Sequence, residues 1–114
     1  MTGQRVSIRQ IQHATCAVFK IGRQDMLSKS RMKHLVEPRH IAIFLAREVS
    51  ERSWMILGRE FNREHTSPIY AYRRIKDRVD AGDNRTLDSL AAIKAALGED
   101  AERRKVAAMR EAGA

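Results

Sequence analysis

The stretch from Ser53 to Val79, SWMILGREFNREHTSPIYAYRRIKDRV, constrains the fold of this chain more than any other. Ile56, Leu57 and Phe61 recur at helical spacing behind Ser53, whose hydroxyl can cap a helix N-terminus. They predict a short helix over about 53–61. Asn62-Arg63 breaks the pattern. Ile69, Tyr72, Ile75 and Val79 then share one face of a second helix over about 64–79, with Arg73, Arg74, Lys76 and Arg78 around the rest of it. Pro68 lacks an N–H and fits a helix without loss only in the first turn, so the second helix must begin within a few residues upstream. Arg63, Glu64, His65, Thr66 and Ser67 are therefore crowded at its exposed leading end. Two helices, a tight turn and a polar cluster at the start of the second form the layout of a helix-turn-helix that reads a DNA major groove. The same spacing also suits two surface helices of any small all-α domain, and spacing alone does not choose.

Charge favours the first reading. The 114 residues carry a net charge of +8, distributed unevenly: residues 1–79 hold 16 basic and 7 acidic side chains, residues 80–114 hold 6 and 7. A basic body with a near-neutral tail points to a polyanion that meets the first two thirds of the chain. The length suits one domain with a modest core. Cys16 is the single cysteine and falls on an apolar helical face, so neither an internal disulfide nor a thiolate metal site is expected. Without a membrane-length apolar run or a signal-peptide pattern, a cytoplasmic, nucleoid-associated protein is expected, with no membrane partner.

The remaining segments read as an all-α domain of five or six helices. Residues 1–5 look frayed. Ser7 and Gln10 have capping-box spacing, and Ile8, Ile11, Val18 and Phe19 form the stripe of a first helix ending near Lys20, with Gly22 as its stop signal. Asp25-Met26-Leu27 reads as a single helical turn. Residues 28–34, SKSRMKH, are polar, basic and aperiodic, and predict an exposed loop carrying Lys29, Arg31 and Lys33. Pro38 reads as the start of a central core helix running to Ser50, apolar at Ile41, Ala42, Leu45 and Val49. After a turn over residues 80–84, Leu87, Leu90, Ala91, Ile93, Ala95 and Leu97 make a last helix stopped by Gly98. This divides the chain into a domain over residues 1–98 and an Ala-rich charged tail over 99–114, helical or disordered.

Catalytic signatures are missing. None of the six glycines stands in a phosphate-loop arrangement, and His13, His34, His40 and His65 lack metal-ligand spacing. No enzyme, cofactor, metal or bound nucleotide is expected.

The order of residues resembles the C-terminal DNA-binding domain of the bacterial replication initiator DnaA, a helix-turn-helix of the Trp-repressor-like kind. The matching pieces are Ile11-Gln12 through Phe19-Lys20-Ile21, then Asp25-Met26-Leu27-Ser28-Lys29 and Arg31. Pro38-Arg39-His40-Ile41-Ala42-Ile43 and Leu45-Ala46-Arg47-Glu48 follow, with Ser53, Leu57-Gly58 and Phe61. Arg63-Glu64-His65-Thr66-Ser67 stands where that family has an arginine-aspartate-histidine-threonine-threonine signature. The resemblance extends from about Val6 to Leu97.

The resemblance implies roles. Glu64, His65, Thr66 and Ser67 would read base edges in the major groove, where a carboxylate can accept from cytosine N4 and a threonine methyl can pack on thymine. Arg31 would enter the neighbouring minor groove. Lys29, Lys33, Arg39, His40, Arg47 and Arg63 would hold phosphates, as would the free N–H groups of the helix begun by Ser53 and Trp54. The chain departs from the family at Glu64, Pro68 and Tyr70, and at Ser30 and Glu37, where the family is often basic. These departures leave open a variant box or weaker binding. No ATPase or loading domain is expected, so the chain alone would not build an ATP-driven filament. The implied function is sequence-specific binding of double-stranded DNA at initiator-type boxes, as an accessory regulator of chromosome replication initiation, with the initiator or its regulators as further partners. A transcription regulator with the same reader is a second reading, and a protein-interaction module with a decayed DNA site a third.

Overall fold

A computed structural model describes residues 6–64 and 66–113. His65 and the segment expected to fray, residues 1–5, lie outside the described residues. Six helices make up the described fold: α1 (Ile8–Phe19), α2 (Arg23–Met26), α3 (Lys33–Ser50), α4 (Trp54–Glu60), α5 (Thr66–Asp80) and α6 (Asn84–Gly113). The all-α expectation holds, with α4 and α5 as the helix-turn-helix.

Local chemistry sets the first boundary. The backbone N–H of Gln10 donates to Ser7 Oγ at 3.1 Å and that of Ser7 donates to Gln10 Oε1 at 2.7 Å, closing the capping box of α1. The helix ends at Lys20 as expected, but Lys20 itself, and not the expected stop signal Gly22, adopts the left-handed capping conformation, at φ 57°. The Ile21 N–H then bonds back to the Cys16 carbonyl at 3.1 Å, and the wrap turns Ile21 toward the core while Gly22 starts α2 in ordinary extended geometry.

α3 is the central helix. Ile41 to Ala46 are buried without interruption, because α1 packs on one side of them and α5 on the other. The helix starts at Lys33, five residues before the expected start at Pro38. Leu35 and Val36 donate to the Met32 carbonyl at 2.9 Å each, and Leu35 is buried, so its burial anchors a turn that the proline was expected to exclude. Pro38 is itself buried inside the helix. At the other end Val49 is exposed, off the core face expected for it.

Buried Gln12 ties three elements together. Its Nε2 donates to the Glu60 carbonyl at the end of α4 (2.9 Å), and its Oε1 accepts from Arg23 Nε of α2 at the same distance. α5 and α6 are joined through Gly82, whose φ of 74° lets the Asp83 N–H close on the Arg78 carbonyl at 3.0 Å. α6 buries Leu90 and Ile93 against α1, whereas Leu87, Ala91 and Ala95 are exposed. Gly98 does not stop it. No positive φ occurs there, and the helix continues to Gly113, since a helical glycine costs only about 1 kcal/mol relative to alanine.

Candidate nucleic-acid interface

Ser53 Oγ accepts from the Ile56 N–H at 3.2 Å and starts α4. The fully buried Phe61 ends it, and Asn62 reverses the chain in the left-handed region at φ 56°. The Arg63 N–H closes the turn on the Gly58 carbonyl at 2.7 Å. α5 follows from Thr66, so Pro68 occupies its third position, inside the first turn. Glu64, Thr66 and Ser67 are all exposed at this end; His65 lies outside the described residues.

The loop before α3 is bonded to this turn. Lys29 Nζ donates to the Asn62 carbonyl at 2.9 Å, and Asn62 Nδ2 reaches the Leu27 carbonyl at 3.4 Å. Arg63 donates from Nη2 to the Ser28 carbonyl and from Nη1 to its neighbour's carbonyl at 3.0 Å. Arg39 supports the same loop from below. Only 4% exposed, it donates from Nε to the Met26 carbonyl (2.6 Å), from Nη1 to Ser30 (3.2 Å) and from Nη2 to Ser28 (3.1 Å). Burial, then the nearby Arg63 charge, lowers the Arg39 pKa to about 10, which leaves it cationic at neutral pH. Burial likewise lowers that of Arg63. Both residues, assigned to phosphate by resemblance, spend donors on backbone carbonyls.

Between this loop, α3 and the start of α5 lies a cleft of about 860 Å³ lined by Arg31, Arg63, Thr66, Ser67, Tyr70 and Arg74, among others. Arg31 is exposed at its rim. Tyr70 and Arg74 were not singled out as site residues from the sequence, although their four-residue spacing from Thr66 puts all three on one helical face. Arg74 Nη1 donates to Tyr70 Oη at 3.1 Å. His40 meets the Tyr70 ring edge-on, at 6.1 Å between centroids. Burial, and then the charges of Arg74, Arg39, Arg78 and Arg63, lower the His40 pKa to about 4. At neutral pH it therefore offers a ligand a hydrogen bond and no charge.

The other assigned residues divide. Lys33 is exposed in the first turn of α3, on an adjoining groove. Arg47, Ser53 and Trp54 gather at the α3–α4 corner, where the Arg47 guanidinium sits 4.2 Å over the indole and donates to the Arg52 carbonyl at 2.5 Å. Behind the indole, Tyr72 stacks on Phe44 at 5.2 Å and donates to Glu48 Oε2 at 2.6 Å; that hydrogen bond raises the phenol pKa. The result is a basic face with no clustered metal ligands among the described residues.

The model of the bacterial DnaA protein helix-turn-helix matches residues 8–75, more than half of the chain. The chain belongs to this family. Two chromosomal replication initiator proteins named DnaA agree with that assignment. The one from Sphingopyxis alaskensis is 36% identical over 94 residues, 82% of this chain and 20% of that protein. The one from Bartonella quintana is 35% identical over 99 residues, 86% of this chain and 20% of that protein. A third, from Thermoanaerobacter, is 34% identical over 76 residues, 67% of this chain and 17% of its own. The DnaA-like chain thus spans about a fifth of the length of these relatives. None of its described helices is long and apolar enough to cross a membrane.

Proposed function

We propose that this chain binds double-stranded DNA sequence-specifically at initiator-type boxes and acts as an accessory regulator of chromosome replication initiation. The reading is carried by one observation: Arg31 from the loop and Thr66 and Ser67 from α5 line the same cleft, within a unit tied by Lys29, Asn62 and Arg63. A major-groove reader and a minor-groove arginine need that fixed relation to engage adjacent grooves of one duplex. Glu64, His65, Thr66 and Ser67 read bases. Lys29, Lys33 and Arg63 hold the backbone beside the cleft, and Arg47 with the Ser53-Trp54 helix start holds it at the far corner. Arg39 shapes the loop from beneath it, and His40 contributes a neutral hydrogen bond. Kinship with replication initiators supports the cellular role.

Two measurements test this. Selection on random duplexes should enrich one box with wild-type protein, and Arg31→Ala should lose only the A·T preference at its minor-groove edge. An unchanged preferred site for Arg31→Ala overturns its assignment. In cells, occupancy mapping should place the protein at the replication origin; occupancy confined to promoters overturns the replication role.

A further inference from the structure

The reading cleft does not end at Arg74. A second groove of about 670 Å³ opens beside it, between the end of α1, the first turns of α3, α5 and the start of α6. Arg31, Val36, His40 and Arg74 line both, so the two are continuous. The second groove adds Lys20, Lys33, Arg78 and Arg85, with Glu37 as its only carboxylate among the described residues. Glu37 faces two guanidiniums at long range, Arg78 Nη1 at 3.9 Å and Arg85 Nε at 3.7 Å, and the Arg85 side chain is 82% exposed. Such pairs are weak and readily exchanged for a stronger anion.

We propose that this groove is a second phosphate site, holding the backbone of duplex DNA that flanks the box, with Glu37 as an internal counter-ion that the phosphates displace. The proposal rests on the DNA-binding reading above. Continuity with the cleft singles out the duplex: a strand engaged at Arg31 and Arg74 already lies at the groove mouth, so its own backbone is the nearest polyanion. From Thr66 to Arg78, α5 advances about 18 Å, so the groove lies well beyond the turn that reads the box and would meet duplex outside it. Glu37 offsets part of the arginine charge until a phosphate replaces it, and a duplex already held at the box presents that phosphate at high local concentration.

The test compares a duplex carrying only the box with the same box extended by about ten base pairs, titrated by fluorescence anisotropy over about 50–200 mM salt. Wild-type protein should bind the extended duplex more tightly, with a log–log salt slope steeper by about 2, near 0.9 per added phosphate contact. Arg78→Ala/Arg85→Ala should lose that increment and keep its affinity for the bare box. Arg85→Ala alone, at an exposed position, should lose about half of the increment and guards against misfolding of the double variant. Glu37→Gln should bind the extended duplex several-fold more tightly. An increment that survives the double substitution, or that is absent from wild type while box preference is intact, overturns the groove and spares the reader. Displacement of bound box by a polyglutamate peptide, with no effect of extension, assigns the groove to an acidic protein partner and also overturns the proposal. Equal binding of box and scrambled duplexes instead overturns the DNA-reading function beneath it.

Discussion

Two pairs of arginines flank the reading cleft, and they are held in opposite ways. Arg39 and Arg63 are bound by backbone carbonyls of the loop over residues 26–30, whereas Arg78 and Arg85 share one carboxylate at the outer limit of an ion pair. A carbonyl held in a folded loop cannot leave, so the first pair fixes shape, and Arg63 keeps only its remaining N–H donors for a phosphate. A carboxylate at 3.7–3.9 Å, partly open to water, can be exchanged, so the second pair remains available to a ligand. Equal formal charge at two places on one surface thus does different work, and the bonding partner decides which.

The largest expected effect breaks the first pair. Arg39→Leu removes the donors to three carbonyls at once and should cost about 2–4 kcal/mol in denaturant unfolding, with loss of specific DNA binding. Arg39→Lys should rescue little, because one ammonium cannot span the three acceptors that a guanidinium fork reaches. Wild-type stability in Arg39→Lys would show that the fork is dispensable.

A smaller effect comes from His40, which lies between the two pairs. Its folded pKa, near 4, is below the ordinary histidine value of 6.5. The unfolded chain therefore binds more protons between those values, and stability should fall as pH drops from about 6.5 to 4. Because His40 is only partly buried, the loss should be about 1–2 kcal/mol after allowance for solvent screening. Thermal melts should show it in wild type and a flatter profile in His40→Gln. An equally steep profile in the variant would place the titration elsewhere.

The smallest effect falls on the second pair. Arg85→Ala and Glu37→Gln should each change stability by no more than about 0.5 kcal/mol. A cost above about 1 kcal/mol for either would mean that this pair is also scaffold, and the contrast between the pairs would fail.

Local chemistry was readable from the residues. The Ser7–Gln10 box, the Ser53 cap, the break at Asn62 and the Pro68 limit each depend on neighbours within four positions. The helix-turn-helix that they bracket could therefore be placed almost to the residue. Pro38 and Gly98 misled because both are propensity signals. Burial of Leu35 overrode the first, and an uninterrupted α6 the second. The role of Arg39 was hidden for a different reason. Its acceptors lie up to 13 residues away on a loop whose path no periodicity describes. Tyr70 and Arg74, by contrast, could have been found by counting fours from Thr66.

The ties among Lys29, Asn62 and Arg63 also have a consequence for entropy. A free loop must lose conformational freedom when it enters a groove, at roughly 0.5–1.5 kcal/mol for each mobile side chain immobilised. Here that freedom is surrendered during folding, when the loop is bonded to the turn. Association then orders little more than the exposed tips, Arg31 among them. Weakening a tie, as in Asn62→Gly, which removes the amide without strain at a φ of 56°, would transfer the ordering cost to the encounter itself. It would make binding less tight, although no residue that faces the bases had been changed.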